Sequence, residues 1–260
     1  QMVCRAYSFF SRNSHRAALF VFCLACNSAA FSETPTSVSL VAEDSWPPYS
    51  DSQGRGLSNE LVSAAYNLVG IETQIAVMPY ARVEHQVQAG KFDGGFNVTR
   101  QASTEELFVF GQQPLLSAPA SFFFRRAEGQ TYSSYEDVPD GIKIGLIIGY
   151  EYGDIYQQNK HRFVEIRVSQ QQQIIRMLMA GRIDAAIMFD EVAAYNLRRM
   201  ELEAGRIDKA FQNHVSEIYV GFSLKNDRSA HYAERLDKGL LNLKASGEYQ
   251  KIVDRHFKDE

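Results

Sequence analysis

Apolar and polar positions along this chain follow two alternating periods. The run VSLVA (38–42) is short, apolar and flanked by polar residues, which predicts a buried strand. In SNELVSAAYNLV (58–69), Leu61, Val62, Ala65, Tyr66 and Val69 fall on one helical face, with Ser58 as N-cap and Gly70 as stop. TQIAVM (73–78) is again strand-like, and ARVEHQVQA (81–89) is a helix that Gly90 ends. After a middle stretch the alternation resumes. KIGLII (143–148) reads as strand, DIYQQNK (154–160) as helix, FVEIRV (163–168) as strand, and Ser169 to Ala180 as helix. The four glutamines at 170–173 open that last helix as its solvated face. Strands alternating with helices imply parallel strands joined by right-handed crossovers, an α/β architecture.

Two segments repeat one pattern. AGKFDGGF (89–96) and AGRIDAAI (180–187) each give a helix end, a glycine, a basic residue, an apolar residue, an aspartate, two small residues and an apolar one. Gly90 and Gly181 suit the left-handed conformation that closes a helix, and a strand follows each. With Asp93 and Asp184 in matching places, the repeat predicts two similar α/β lobes. Ligands of open α/β sheets sit beyond the carboxyl ends of the strands. That singles out NVTR (97–100) and FDEV (189–192) as the two sides of a cleft.

The N-terminus alters the composition of what folds. Residues 1–32 carry Arg5, Arg12 and Arg16 and no acid, with the apolar run AALFVFCLAC (17–26) and small residues before ETP. That order is a secretory signal peptide, with cleavage expected after Ala30 or Ser32. The apolar run is too short to span a bilayer, and Cys23 stands where a lipoprotein site at Cys26 would carry leucine. Cys4, Cys23 and Cys26 all leave with the segment, so neither a disulfide framework nor thiol chemistry is expected. Without its three arginines, 24 Lys and Arg face 31 acids, and the net charge moves from −4 to −7. An acidic exported chain without a basic block is a poor partner for nucleic acid. The six histidines, at 15, 85, 161, 214, 231 and 256, include no pair at helical metal-ligand spacing, so no metal and no cofactor is expected. The sequence shows neither a nucleophile elbow nor a phosphate-binding glycine loop.

The order and spacing of six pieces resemble the bacterial family 3 extracellular solute-binding proteins, periplasmic components related to polar amino-acid uptake. The pieces are EDSWPPYSD (43–51), GLSNELVSAAYNLVG (56–70), MPYARVEHQVQAGKFDGGFNVTR (78–100), GYEYGD (149–154), LMAGRIDAAIMFDEVAAY (178–195) and LDKGLLNLKASGEYQKIVDRHF (236–257). Together they span nearly all of residues 37–258. The resemblance implies a type II periplasmic-binding-protein fold, in which two α/β lobes are joined by two crossing strands with the ligand between them. The implied layout is a signal peptide over 1–32, lobe one over 33–121 and 222–260, and lobe two over 122–221. SFFFRR (121–126) and EIYVGFSL (217–224) would be the crossings. The lone tryptophan, Trp46, falls in the family's aromatic–Pro–Pro–aromatic loop, which walls the ligand pocket. Its flat face suits stacking or a cation. Pro47 and Pro48 stiffen the backbone, and Tyr49 is expected to turn inward as core.

The resemblance also implies a two-ended clamp, and here the chain departs. Amino-acid-binding members show Thr-Pro-Glu-Arg after the strand, and that arginine holds the ligand carboxylate bidentately. NVTRQASTEELFVFG (97–111) keeps Thr99, but Ala102 takes the arginine's place, leaving Arg100 as the substitute. In the second lobe the acid that holds an α-ammonium falls at Phe189, with Asp190 one step on, and one step along a strand reverses the side chain. MPYAR resembles the Pro-aromatic-x-Arg element of a divergent branch, adding Tyr80 and Arg82. Tyr150 and Tyr152 follow a strand and precede a helix whose free N–H groups favour an anion. The expected ligand-binding set is therefore Glu43, Trp46, Tyr80, Arg82, Phe96, Asn97, Thr99, Arg100, Tyr150, Tyr152, Phe189 and Asp190. The expected ligand is not a standard amino acid, and Arg82 or Arg100 takes its anionic end beside a ring.

The implied function is capture of a small polar or amino-acid-like solute by lobe closure, by a periplasmic monomer that delivers it to a membrane ABC permease. Two alternatives share the fold: input to a membrane sensor, and a dehydratase-type enzyme with Glu43, Asp190 or Glu191 as general acid. Acids at helix starts are common for dipole reasons, so a binding protein with no catalytic residue is expected. No appended catalytic domain is expected after Glu260.

Overall fold

The computed structural model describes residues 36–126, 132–201 and 206–258; the predicted signal peptide lies outside the described residues. In chain order, β1 (Ser37–Glu43) leads into a small hairpin of β2 (Ser45–Trp46) and β3 (Ser50–Asp51). Then come α1 (Leu57–Asn67), β4 (Glu72–Met78), α2 (Tyr80–Gln88), β5 (Gly94–Thr99), α3 (Ala102–Glu105) and β6 (Phe108–Phe110). A long strand, β7 (Leu116–Arg125), leads to β8 (Lys143–Ile147), α4 (Gly153–Asn159), β9 (Val164–Val168), α5 (Gln171–Met179), β10 (Ala185–Phe189) and α6 (Asp190–Arg199). β11 (Ile207–Ser223) returns the chain to the first half, which α7 (Ser229–Ser246) and α8 (Glu248–Lys258) complete.

One sheet runs β4-β1-β5-β11-β7-β10-β8-β9, with β6 beside β11. β4, β1 and β5 are mutually parallel, as are β10, β8 and β9. β11 and β7 pair antiparallel with each other and with the parallel groups they join. The architecture is thus two α/β lobes tied by two crossing strands. Both crossings begin earlier than the sequence suggested, at Leu116 and Ile207. The early part of β11, IDKAFQNHVSE, is half-exposed and lacks the apolar run that marks a buried strand.

The repeated pattern has a structural meaning. Asp93 accepts the Ser39 N–H at 2.7 Å, and its own N–H donates to the Ser39 carbonyl at 2.9 Å; Asp184 makes the same pair of bonds to Lys143, at 2.8 and 2.9 Å. Each aspartate staples the strand it starts to the neighbouring one. Gly90 and Gly181 close the preceding helices at φ 75° and 64°. A side chain at Gly95 in β5 would meet Val83 at 2.7 Å and Val87 at 3.0 Å, so the bare backbone lets α2 lie directly on the sheet. That seating carries Tyr80 and Glu84 to the edge of the lobe.

Ser58 is not the cap of α1. The helix starts at Leu57, and the N–H groups of Leu57 and Ser58 donate to the carbonyls of Pro48 and Tyr49 at 3.0 and 2.9 Å. The Trp46 loop therefore caps the helix with its own backbone. Gly56 makes this possible: its φ is 128°, and a Cβ there would lie 2.4 Å from the Tyr49 carbonyl oxygen. No helix among the described residues is long and apolar enough to cross a membrane.

Candidate functional site

The carboxyl ends of β1 and β5 in one lobe face the turn after β8 and the end of β10 in the other. Glu43, the last residue of β1, is only 2% exposed and accepts a hydrogen bond from the Tyr150 hydroxyl across the lobe boundary. Burial drives its carboxyl pKa well above the ordinary range, against the pull of Tyr150 and Asn97. Asn97, on β5 beside Glu43, has a backbone φ of 71° and lies where β11 bulges between Tyr219 and Val220. Asparagine tolerates this left-handed conformation better than most residues. Its amide faces Glu43 but completes no hydrogen bond.

Rings fill the space around Glu43. Trp46 is 1% exposed, stacks at a tilt on Tyr49 at 4.2 Å and presents its face or edge to Phe189 of the other lobe at 5.0 Å and 86°. Among the described residues its indole N–H has no partner. Tyr80, the first residue of α2, meets Tyr150 edge-on at 4.9 Å and donates to Glu151 at 3.4 Å. Phe189 also touches Tyr150, at 6.1 Å, and His214 of β11, at 6.0 Å. Tyr49 is buried core, as the sequence predicts.

Beside the rings two carboxyls meet across the lobes. Glu84, one helical turn beyond Tyr80, approaches Glu151. Burial and the neighbouring carboxyl push Glu84 up to about 8. Burial raises Glu151 to about 7, opposed by the Tyr80 hydroxyl and the Arg167 charge. At neutral pH such a pair holds a proton between its members. Among the described residues, neither they nor Glu43 forms an ion pair. Arg167 is held by Glu165 at 2.9 Å and by the carbonyls of Ile147 and Tyr150 at 3.0 and 3.3 Å. The approach is close because Gly149, at φ 85°, has no side chain: a Cβ there would lie 3.0 Å from Glu84 and 3.2 Å from Tyr80.

The other expected site residues lie elsewhere. Arg82 is exposed on α2. Arg100 is bound to Glu105 at 2.7 Å and the Gly111 carbonyl at 3.1 Å, above the rings of Phe110 and Tyr219. The structure thus brings neither arginine to the Glu43 cluster; helix phase turns Arg82 outward, and α3 supplies an acid that captures Arg100. Phe96 is fully buried in the core. Tyr152 accepts the Ile147 N–H at 2.8 Å and meets Tyr156 edge-on in the second lobe, bracing the turn that carries Tyr150. Asp190 heads α6 and pairs with Lys209 at 2.5 Å. Thr99 lies 3.3 Å from Ser216, which bonds His214 at 2.6 Å.

Four residues of this region escaped the sequence reading. Glu84 shares a helical face with Tyr80 (i, i+4), which was a usable signal; Glu151 sits inside the quoted GYEYGD. Gln171 is not on a solvated face: it is 2% exposed, lies beside Tyr150 and leaves its amide oxygen unpartnered. Burial pulls His214 down to about 4, so its ring is neutral at physiological pH. Next to the cluster, a cavity of about 310 Å³ opens between the lobes, lined by Asp44 and Arg55 on one side and Gln170, Gln172 and Arg199 on the other. Among the described residues no group of His, Cys, Asp and Glu has the geometry to hold a metal ion.

Comparison with known proteins locates this arrangement. Residues 38–259 match the sequence profile described as bacterial extracellular solute-binding proteins, family 3. No curated protein sequence matches the chain. Among solved structures, an ancestral arginine-binding protein bound to arginine superposes with a TM-score of 0.72 at 18% identity, over 85% of this chain and 98% of that one. A histidine kinase sensor domain with similarity to periplasmic binding proteins gives 0.72 at 18%, over 86% and 96%. An ancestral amino-acid-binding protein, a precursor of cyclohexadienyl dehydratase, gives 0.70 at 16%, over 85% and 95%. At these identities the likeness carries the fold, that of the type II periplasmic binding proteins.

Proposed function

Since the chain belongs to family 3 of the bacterial extracellular solute-binding proteins, we propose that it captures a small polar or amino-acid-like solute between its lobes. One observation carries this reading. Glu43, Asn97 and Trp46 of one lobe meet Tyr150, Gln171 and Phe189 of the other, and polar atoms of Asn97, Trp46 and Gln171 are buried there without partners among the described residues. Buried polar groups are rarely left unpaired, so a solute that supplies their partners and parts the rings is the natural occupant. In this reading the protein works as a monomer in the periplasm and hands the solute to an ABC permease. We place lobe one at 33–121 and 222–260 and lobe two at 122–221. The pairing of β7 with β10 from Ala120 onward, and of β11 with β5 from Ile218 onward, supports this.

The test is a thermal-shift screen of amino acids, amines, carboxylates and sugars, followed by small-angle scattering and Trp46 emission with each hit. A true ligand changes the melting temperature saturably and moves at least one of the other two signals. Stabilisation that leaves both scattering and fluorescence unchanged overturns capture between the lobes. A second reading, acid-catalysed elimination of the dehydratase type, is favoured by the proton that Glu84 and Glu151 hold near neutrality. Turnover of a stabilising hit, detected as a new product, would select it.

A further inference from the structure

The chemistry of the lobe contact narrows the solute, given the capture reading above on which this rests. Three carboxyls, Glu43, Glu84 and Glu151, stand among the rings of Trp46, Tyr80, Tyr150 and Phe189, and none of the three forms an ion pair among the described residues. Among the described residues, the two cations of the adjoining cavity are engaged on its walls, Arg55 with Asp51 and Arg199 with the Tyr195 hydroxyl, and those beside the cluster are committed or turned away. Arg167 belongs to Glu165, Arg100 belongs to Glu105, and Arg82 points to solvent. A carboxylate on the solute would therefore meet three carboxyls and no uncommitted cation, and a charge left unpaired in a desolvated contact costs several kcal/mol.

A second, independent feature points to an occupant. Asn97 is 6% exposed, faces Glu43 and uses neither its amide N–H nor its amide oxygen. An amide of that kind beside a carboxyl leaves an acceptor for an incoming donor. The Tyr150 hydroxyl, the donor now on Glu43, marks where such a donor sits. The rings supply the rest, because aromatic faces attract cations and are worth more when desolvated.

We infer that this site takes an organic cation: a solute whose ammonium or guanidinium group replaces the Tyr150 hydroxyl on Glu43, lies among the four rings, and carries no carboxylate. Burial raises all three carboxyls, and the Glu84–Glu151 pair shares a proton near neutrality that the cation must displace. Facing Glu43 are Tyr150 and Asn97, with Asp44 and Glu84 farther off; facing Glu151 are Tyr80, Glu84 and the committed Arg167. His214, beyond Phe189, is neutral and adds no charge. Binding of a cation thus releases protons, whereas a zwitterion held at both ends by fixed charges releases none.

Isothermal calorimetry on the purified protein with matched probes tests this: agmatine against L-arginine and putrescine against L-ornithine, in buffers of different ionisation enthalpy. The decarboxylated member of each pair should bind at least about tenfold tighter, in keeping with the cost of an unpaired buried carboxylate, and its heat should reveal proton release near pH 6.5. Glu43→Gln should weaken agmatine at least about tenfold, while Arg82→Ala and Arg100→Ala leave it unchanged. If Glu43→Gln does not fold, Glu84→Gln, at a half-buried position, should still reduce the protons released. Parent amino acids binding as tightly as their amines, or agmatine binding that Glu43→Gln leaves intact, overturns the inference. Tight binding confined to carboxylates or uncharged solutes overturns it while sparing solute capture; silence across amines, amino acids, carboxylates and sugars overturns both.

Discussion

Closure of the lobes should depend on pH, through Glu84 and Glu151. The two carboxyls meet only where α2 touches the Gly149–Glu151 turn, so parting the lobes returns each towards its ordinary value of 4.5. In contact, Glu151 is raised to about 7 and Glu84 to about 8. The contact state therefore binds a proton more tightly than the open one. Its advantage is complete below about pH 4.5, shrinks as pH rises, and is gone above about 8. Counting one shared proton, the rise of Glu151 from 4.5 to about 7 corresponds to about 3 kcal/mol. Both groups are half-buried, and solvent screening reduces this to about 2 kcal/mol, roughly a thirtyfold change in the open–closed ratio. The assay is single-molecule energy transfer between one dye on each lobe, at pH 5.5 to 9, without solute. Transfer should be high at pH 5.5 and fall with a midpoint between about pH 7 and 8. Glu84→Gln replaces the shared proton by an amide that donates at any pH, so this variant should stay closed to pH 9. A flat wild-type profile, or a variant that titrates like wild type, refutes the latch.

Three further outcomes follow from single contacts. Phe189→Ala removes the ring against Trp46 and Tyr150 and should cost about 3–5 kcal/mol in chemical denaturation, with Trp46 emission shifted to the red. Gly56→Ala places a Cβ against the Tyr49 carbonyl at a φ of 128° and should cost at least about 2 kcal/mol, while the conservative Gly70→Ala, with open space around it, costs less; melting curves decide. His214 titrates with the opposite sign to the carboxyls. Its folded pKa, about 4 against an ordinary 6.5, means its contribution is full above about pH 6.5 and is lost as pH falls towards 4. His214→Gln should flatten that acid limb of the stability profile and leave the limb above pH 7 alone.

Most of the fold was legible because burial writes itself into periodicity. The strand β1 and the helical face of Leu61, Val62, Ala65 and Tyr66 are buried on both counts, and the repeat around Asp93 and Asp184 turned out to be a pair of equivalent staples. What periodicity could not reveal was β11 before Ile218, where one face is wet, and the cap of α1, where the partner carbonyls come from a loop nine residues earlier. A side-chain cap is a local sequence signal; a backbone cap is not.

The site was less legible, and for a definite reason. Its residue types were readable one lobe at a time: a tryptophan loop, tyrosines after a strand, an acid at a strand end. Its electrostatics arise only from contact between the lobes. Glu84 on α2 looks like any half-exposed helical glutamate until Gly149 admits it to Glu151, 67 positions away in the chain. Gln171, one of four glutamines, separates from the rest only because its position beside Tyr150 buries it. The arginines mislead in the opposite sense. A guanidinium near a strand end suggests an anion site, but Arg100 finds its anion in Glu105, five residues on, and is spent there. Charge in the cleft is therefore fixed by which partners each group meets first. In this chain every nearby arginine meets an acid or solvent, and the acids meet each other.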